Sequence, residues 1–211
     1  MDDLLVQLVV IIGVILVSMT FHEVMHGLVA YWLGDDTAKG QGRLTLNPLK
    51  HIDPFLTILL PVLLAIAGGP IFGGAKPVPF NPARVRHGEW GAALVAAAGP
   101  LVNLVLAFVT FGILAVTGAE ASSVLGQVLY LAVIVNLGFF VFNMLPIPPL
   151  DGSRVVYALA PDFVRRGMAA IEQMGILLVF IIVILAGSVI WTIMRAAIGA
   201  ILGIFELIYG V

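Results

Sequence analysis

Six apolar runs, at about 4–33, 55–67, 91–117, 124–145, 171–187 and 189–209, leave this chain little room for anything but membrane-embedded helices. A spanning helix needs about 20 apolar residues at a rise of about 1.5 Å each. The first, third and fourth runs meet that length well and the fifth adequately. The second is short, contains Pro61 and ends in Gly68-Gly69-Pro70, which fits a re-entrant or interfacial segment better than a full crossing. Gly187-Ser188, between the last two runs, reads as a tight turn between spans or as a mild kink. Composition agrees: 61% of the residues are hydrophobic and 10% charged, against about 45–50% and 25% in soluble domains. The expected fold is an all-α polytopic membrane protein of five to six membrane segments. A short membrane-associated β or re-entrant region is expected between the first and third runs.

Charge and cysteine content exclude several functions. The net charge of −2 gives no footing for nucleic acid, and the absence of cysteine removes disulfides and thiolate metal sites. The first run follows Met-Asp-Asp, without a basic leader or a small-residue cleavage site, and is expected to be a retained span.

The polar connections sort by sign. Residues 35–54 carry Lys39, Arg43 and Lys50; 73–90 carry Lys76, Arg84 and Arg86; 146–170 carry Arg154, Arg165 and Arg166. The connection 118–123 has only Glu120, and the N-terminus only Asp2 and Asp3. Basic loops favour the cytoplasmic face. All three basic connections reach that face only if 55–67 enters and leaves on one side, which supports the re-entrant reading. Within the first connection "GRLTLN" alternates polar and apolar residues like a short strand, whereas "AKPVPFNP" is too rich in proline for a helix.

Near the end of the first run stands "FHEVMH". His22 and His26 are four residues apart, so on a helix both imidazoles share a face and can hold one metal ion. Glu23 lies beside the first ligand, where a carboxylate can serve as general base. Ionisable groups inside a span are costly and usually functional. The alternative is a set of polar contacts between helices. A catalytic zinc normally takes three protein ligands and leaves one position open. His51, Asp53, His87, Glu89, Glu120, Asp151 and Glu172 are candidates for the third. Asp151 is best placed. The fourth run points back to the cytoplasmic side and breaks at "MLPIPPLDG", where Pro146, Pro148 and Pro149 end the helix. Asp151 can equally be the N-cap of a helix over 152–160.

Taken together, "FHEVMH", "GPLVN" (99–103) and "LDG" (150–152) resemble the site-2 protease family of intramembrane zinc metalloproteases. "RLTLNPLKHIDP" and "GGAKPVPFNP" are similar to its compact branch, which lacks PDZ and CBS domains. The resemblance covers roughly 18–155. It implies His22, His26 and Asp151 as ligands of one zinc ion per chain and Glu23 as catalytic base. It also implies a site opening toward the cytoplasm from a multi-pass protein of the cell membrane. Asn103 is expected to help stabilise the oxyanion, with an interhelical hydrogen bond as the other reading.

The expected activity is hydrolysis of peptide bonds in or near transmembrane segments, as in regulated intramembrane proteolysis. The alternative is a zinc-binding membrane protein without peptidase activity. Residues 1–211 are expected to form one membrane-embedded domain, with a catalytic core over 1–155 and C-terminal transmembrane helices over 171–209. A helical substrate must unwind before it is cut. The extended backbone near Asn47 and over Pro77, Val78 and Pro79 is expected to hold it by strand addition. The expected partners are a transmembrane protein substrate and the lipid bilayer. Gly199 and Gly203 form a packing pattern suited either to a homodimer or to a neighbouring span.

Overall fold

A computed structural model describes residues 4–54, 59 and 75–211 of the chain. Long apolar sequence without helix breakers gives long helices: α1 (Leu4–Trp32), α3 (Gly88–Thr117), α4 (Val124–Asn143) and α7 (Ile176–Tyr209). Shorter pieces lie between them: α2 (Thr37–Gly40), a 3-10 turn at Pro48–Lys50, α5 (Asp151–Leu159) and α6 (Asp162–Glu172). The ends follow from local chemistry. Gly118 closes α3 in the left-handed region and donates its N–H to Leu114 O. Ser123 caps α4 by accepting from Gly126 N.

Among the described residues, four helices are long and apolar enough to cross a membrane: Val6–Trp32, Gly88–Thr117, Val124–Asn143 and Ile181–Tyr209. Of the expected five to six segments, these four lie among the described residues. The runs at 171–187 and 189–209 meet at a kink at Ala186, which agrees with the second of the two readings of Gly187-Ser188. Gly175, with φ of 56°, separates α6 from α7, and α7 then continues for 34 residues with only Ala186 outside helical geometry. No proline stands at 187–188, so one residue absorbs the bend and the hydrogen-bond ladder resumes. The re-entrant expectation concerns 55–67, which lies outside the described residues apart from Leu59.

The expected strand is corrected, because no strand occurs among the described residues. In "GRLTLN" two of the backbone groups are taken by side chains. Thr45 O bonds His51 Nε2 at 2.8 Å, and Asn47 N bonds Thr45 Oγ1 at 3.2 Å. Asn47 then caps the following turn by accepting from Leu49 N.

Helix α3 organises the bundle, packing against α1, α4, α5 and α7. Its small residues, among them Gly91, Ala92, Ala93, Ala96 and Gly99, are buried and let neighbours approach closely. One core joins Ala107 of α3, Val133 and Leu137 of α4 and Phe205 of α7, with Phe108 and Phe111 packed against it. A second joins Ala30, Val85 and Val95. Gly199 and Gly203 meet no atom within 4 Å of where a Cβ would stand, so neither contacts a neighbouring span among the described residues.

The two polar connections that flank 55–74 are bonded to each other and to one end of α1. Lys76 N donates to His51 O at 2.8 Å, Asn81 N to Asp35 Oδ2 at 2.6 Å, and Arg86 N to Leu33 O at 2.8 Å. Burial would raise the Asp35 carboxyl. Hydrogen bonds from the Thr37 hydroxyl and from the Asn81 and Thr37 amides, with the Arg84 charge, outweigh it and hold the group below its ordinary value. Asp35 therefore stays ionised at neutral pH and pins residues 35–37 to residue 81.

Candidate metal centre

The site starts from one turn of α1. His22 and His26 face α3, and each ring is aimed by its Nδ1. His22 Nδ1 donates to Asn103 Oδ1 at 2.6 Å, and His26 Nδ1 donates to Val95 O at 2.7 Å. Both partners are carbonyl oxygens, which only accept. The proton of each neutral ring is therefore on Nδ1, and Nε2 presents a lone pair. Pro100 contributes by lacking an N–H for the Ala96 carbonyl, which loosens α3 beside the turn where Val95 O meets His26.

The third group arrives from α5. The chain leaves α4 at Asn143, passes through a Pro148–Pro149 cis peptide bond and re-enters helix at Asp151. The N-cap is Leu150, one residue earlier than the cap considered from sequence. The Asp151 carboxylate reaches the histidines instead. Its Oδ2 lies 3.2 Å from His22 Nε2 and 3.4 Å from His26 Nε2, while the two Nε2 atoms are 3.0 Å apart. Among the described residues, His22, His26 and Asp151 are the one group of three with ligand atoms this close.

These distances carry chemical information. Two imidazole lone pairs and a carboxylate oxygen repel one another unless a metal ion or a proton sits between them, and a metal ion satisfies all three at once. Zinc bonds of about 2.0–2.1 Å in tetrahedral geometry separate ligand atoms by about 3.3 Å. The observed spacing is close to that. The room for the ion is provided by Gly99: a Cβ there would stand 2.7 Å from His22 Nε2 and closer still to His26 Nε2. The donor set of two nitrogens and one oxygen, with outer hydrogen bonds already in place, fits zinc.

Glu23 lies next to this cluster in the chain. Its Oε2 accepts from Val78 N at 2.7 Å, which leaves Oε1 available. Val78 belongs to an extended strap, 75–80, and its side chain is buried against α1. Pro77 and Pro79 have no N–H, and the donors at 76, 78 and 81 are already taken by His51, Glu23 and Asp35. Strand addition to 76–79 thus has no donors to use. A cavity of about 510 Å³ does lie beside the strap, with Pro77 and Pro79 in its wall.

The remaining candidates lie elsewhere. His51 is buried and bonded to Thr45 O. Glu172 pairs with Arg154, Glu120 accepts from Ser122, and His87 and Glu89 are exposed at the start of α3.

Asn103 is fully buried, and its amide is fully used. Besides His22, it donates through Nδ2 to Asn136 Oδ1 at 2.9 Å and to Ser18 O at 3.2 Å. Nothing is left to face a reacting carbonyl, so the geometry favours the interhelical reading over the oxyanion one. Asn136 was not singled out from sequence, although an amide inside the apolar run "LAVIVNLGFF" was the available signal. Asn136→Leu removes the acceptor for one Asn103 hydrogen and loosens the ring behind it. Loss of a ligand's direct partner weakens metal binding about 10–100-fold, and Asn136, one bond further out, should cost about 10-fold or less. A chelator-competition titration of zinc measures it.

An apolar helical bundle that carries H-E-x-x-H on one span and brings a carboxylate from a short helix beside it has the make-up of a membrane-embedded metalloprotease. The comparisons place it further. The model of peptidase family M50 matches residues 10–120 and 112–187. The zinc metalloprotease candidate YwhC of Bacillus subtilis is 42% identical over 204 residues, covering 92% of this chain and 90% of that protein. The candidate Rip2 of Mycolicibacterium smegmatis is 34% identical over 170 residues, and the match spans 80% of this chain and 64% of that protein. The candidate MJ0611 of Methanocaldococcus jannaschii is 33% identical over 151 residues, 71% of each chain. No solved structure matches. The chain belongs to peptidase family M50, the family of the site-2 proteases that its motifs resemble.

Proposed function

We propose that this M50 chain is a site-2-type intramembrane zinc metalloprotease that cuts peptide bonds in or near transmembrane segments of membrane proteins. His22, His26 and Asp151 hold the metal and Glu23 is the general base. The observation that carries this is the convergence of two imidazole lone pairs and one carboxylate oxygen in a space that only a glycine at position 99 leaves open.

Zinc, when bound, acts as a Lewis acid and lowers the pKa of a coordinated water toward 7. The chain's own residues do the rest. Glu23 takes a proton from the attacking water and returns it to the leaving amine. Asn103 keeps the His22 ring in the ligand tautomer, and Val95 O does the same for His26. Glu23 also weighs against a purely structural or transport site, which has no use for a base beside its ligand.

The cavity walled by Pro77 and Pro79 is a place for an unwound substrate, and it lies among Arg43, Lys50 and Lys76. Those cations belong to the connections expected on the cytoplasmic side, which supports a site open to the cytoplasm of a cell-membrane protein. The core over 1–155 carries the chemistry. Helix α7, packed through Phe205 and Tyr209 on Phe108 and Phe111, belongs to the same domain.

Asp151→Ala tests the assignment. Removing a direct ligand is expected to cost more than the roughly 10–100-fold of an outer partner. Zinc in the purified protein should fall from one equivalent to near zero, with cleavage of a membrane-anchored substrate lost. Unchanged metal content removes Asp151 from the ligand set.

A further inference from the structure

We propose that Arg43 is a positioning residue for the Glu23 base, acting through the 75–80 strap. This rests on the peptidase reading above, but its main readout does not.

Arg43 is 8% exposed, and no carboxylate pairs with it among the described residues. A buried cation without a counter-charge is costly and needs a compensating set of dipoles. Here these are backbone carbonyls from both connections that flank 55–74. Nη1 donates to Lys50 O at 2.6 Å; Nη2 donates to Lys76 O at 2.6 Å and to Pro77 O at 3.3 Å. The next amide in the strap is Val78 N, which holds Glu23 Oε2 at 2.7 Å. One guanidinium thus fixes the two carbonyls that immediately precede the amide gripping the base.

Asp35 fixes the strap's far end through Asn81 N, and Arg43 fixes the carbonyls at 76 and 77. Pro77 and Pro79 bring no donors, and Lys76 N is bonded to His51 O in the loop that Arg43 also clamps. Beneath the strap, Gly27 opens α1: a Cβ there would stand 2.9 Å from Val78 Cγ1 and 2.6 Å from Leu44 Cδ2. Val78 and Leu44, neighbours of the clamp on either side, therefore seat into the turn next to His26. With Oε2 anchored, the Glu23 carboxylate cannot rotate freely, and Oε1 keeps one direction. Only the planar fork of arginine reaches three carbonyls at once; a lysine offers one point charge and no such bridge.

The chain has no cysteine, so one introduced thiol reports without interference. Val78→Cys keeps the backbone N–H and places a thiol where the native side chain is 7% exposed. Alkylation by a hydrophilic maleimide is measured in the full-length protein in detergent, with bound zinc quantified alongside. Arg43→Met in the Val78→Cys background should raise the alkylation rate about tenfold or more, with Arg43→Lys in between and zinc content unchanged in both. Equal rates for the Val78→Cys parent and for its Arg43→Lys and Arg43→Met derivatives overturn the clamp. Should Arg43→Met lose zinc through misfolding, the Arg43→Lys comparison decides alone. In the cysteine-free protein, both substitutions should lower kcat for a membrane-anchored reporter by about 10-fold or more while leaving KM near its original value, since small misplacements of a reacting group are that costly. A released strap with unchanged kcat would reduce Arg43 to a loop fastener and overturn its link to Glu23. Failure of every variant and of the parent to cut the reporter would count against the peptidase reading alone, because the alkylation result stands without it.

Discussion

Glu23→Gln should leave zinc bound and stop cleavage. The amide has the size and shape of the carboxylate, and its oxygen can still accept from Val78 N, so the strap keeps its seat. The three groups that converge on the metal position are untouched. What disappears is the capacity to take a proton. Loss of a positioned general base costs about 10²–10⁴-fold in rate. Zinc content measured by elemental analysis and turnover of a membrane-anchored reporter separate the two effects. Wild-type turnover in the variant would end the role assigned to Glu23. Loss of zinc along with activity would mean that Glu23 is part of the metal's support rather than its chemical partner.

Gly99→Ala should have the opposite profile: a protein that folds but holds no metal. In a helix interior alanine is favoured over glycine by about 1 kcal/mol, so the change alone does not threaten α3. Its added methyl is aimed at the ligand atoms, 2.7 Å from His22 Nε2. Backing away is difficult on both sides. The His22 ring is held by Asn103, and α3 is packed against α1, α4 and α5. The methyl therefore occupies the metal position or pushes an imidazole off it. Zinc should fall below about a tenth of an equivalent, while the metal-free protein still folds with a modestly lowered thermal transition, because overpacking of about 1–3 kcal/mol is offset in part by alanine's helix preference of about 1 kcal/mol. A variant with full zinc would show that the cradle lies elsewhere. This experiment complements Asp151→Ala because it alters no ligand.

Different parts of the molecule were legible from sequence to different degrees, for physical reasons. The i, i+4 histidines could be read because helix geometry alone places them on one face. Asp151 could be suspected because three prolines force a break where a carboxylate would otherwise be out of place. An interhelical bond was one of the two readings of Asn103, but its partners, and the roles of Asn136 and Arg43, were not read from sequence. Each depends on which carbonyl of another segment lies opposite, and such pairings span up to 85 positions, as between Asn103 and Ser18. The strand expected at "GRLTLN" failed for the same kind of reason. Alternation shows that a segment can pair, but His51 and Thr45 take two of the backbone groups first. Of the two readings of Gly187-Ser188, a turn or a kink, the kink is the one observed, at Ala186, because no proline stands there to end the helix.

The amide node formed by Asn103, Asn136 and the Ser18 carbonyl ties α1, α3 and α4 together at one buried point. During biosynthesis these helices enter the bilayer in sequence order. A nascent chain that has reached only α1 carries both imidazoles in lipid without Asn103 or the Val95 carbonyl to orient them. On the proposed ligand set, metal capture belongs to the final stage of assembly, after the ribosome has passed Asp151, and a truncated product would sit in the membrane as an inert precursor.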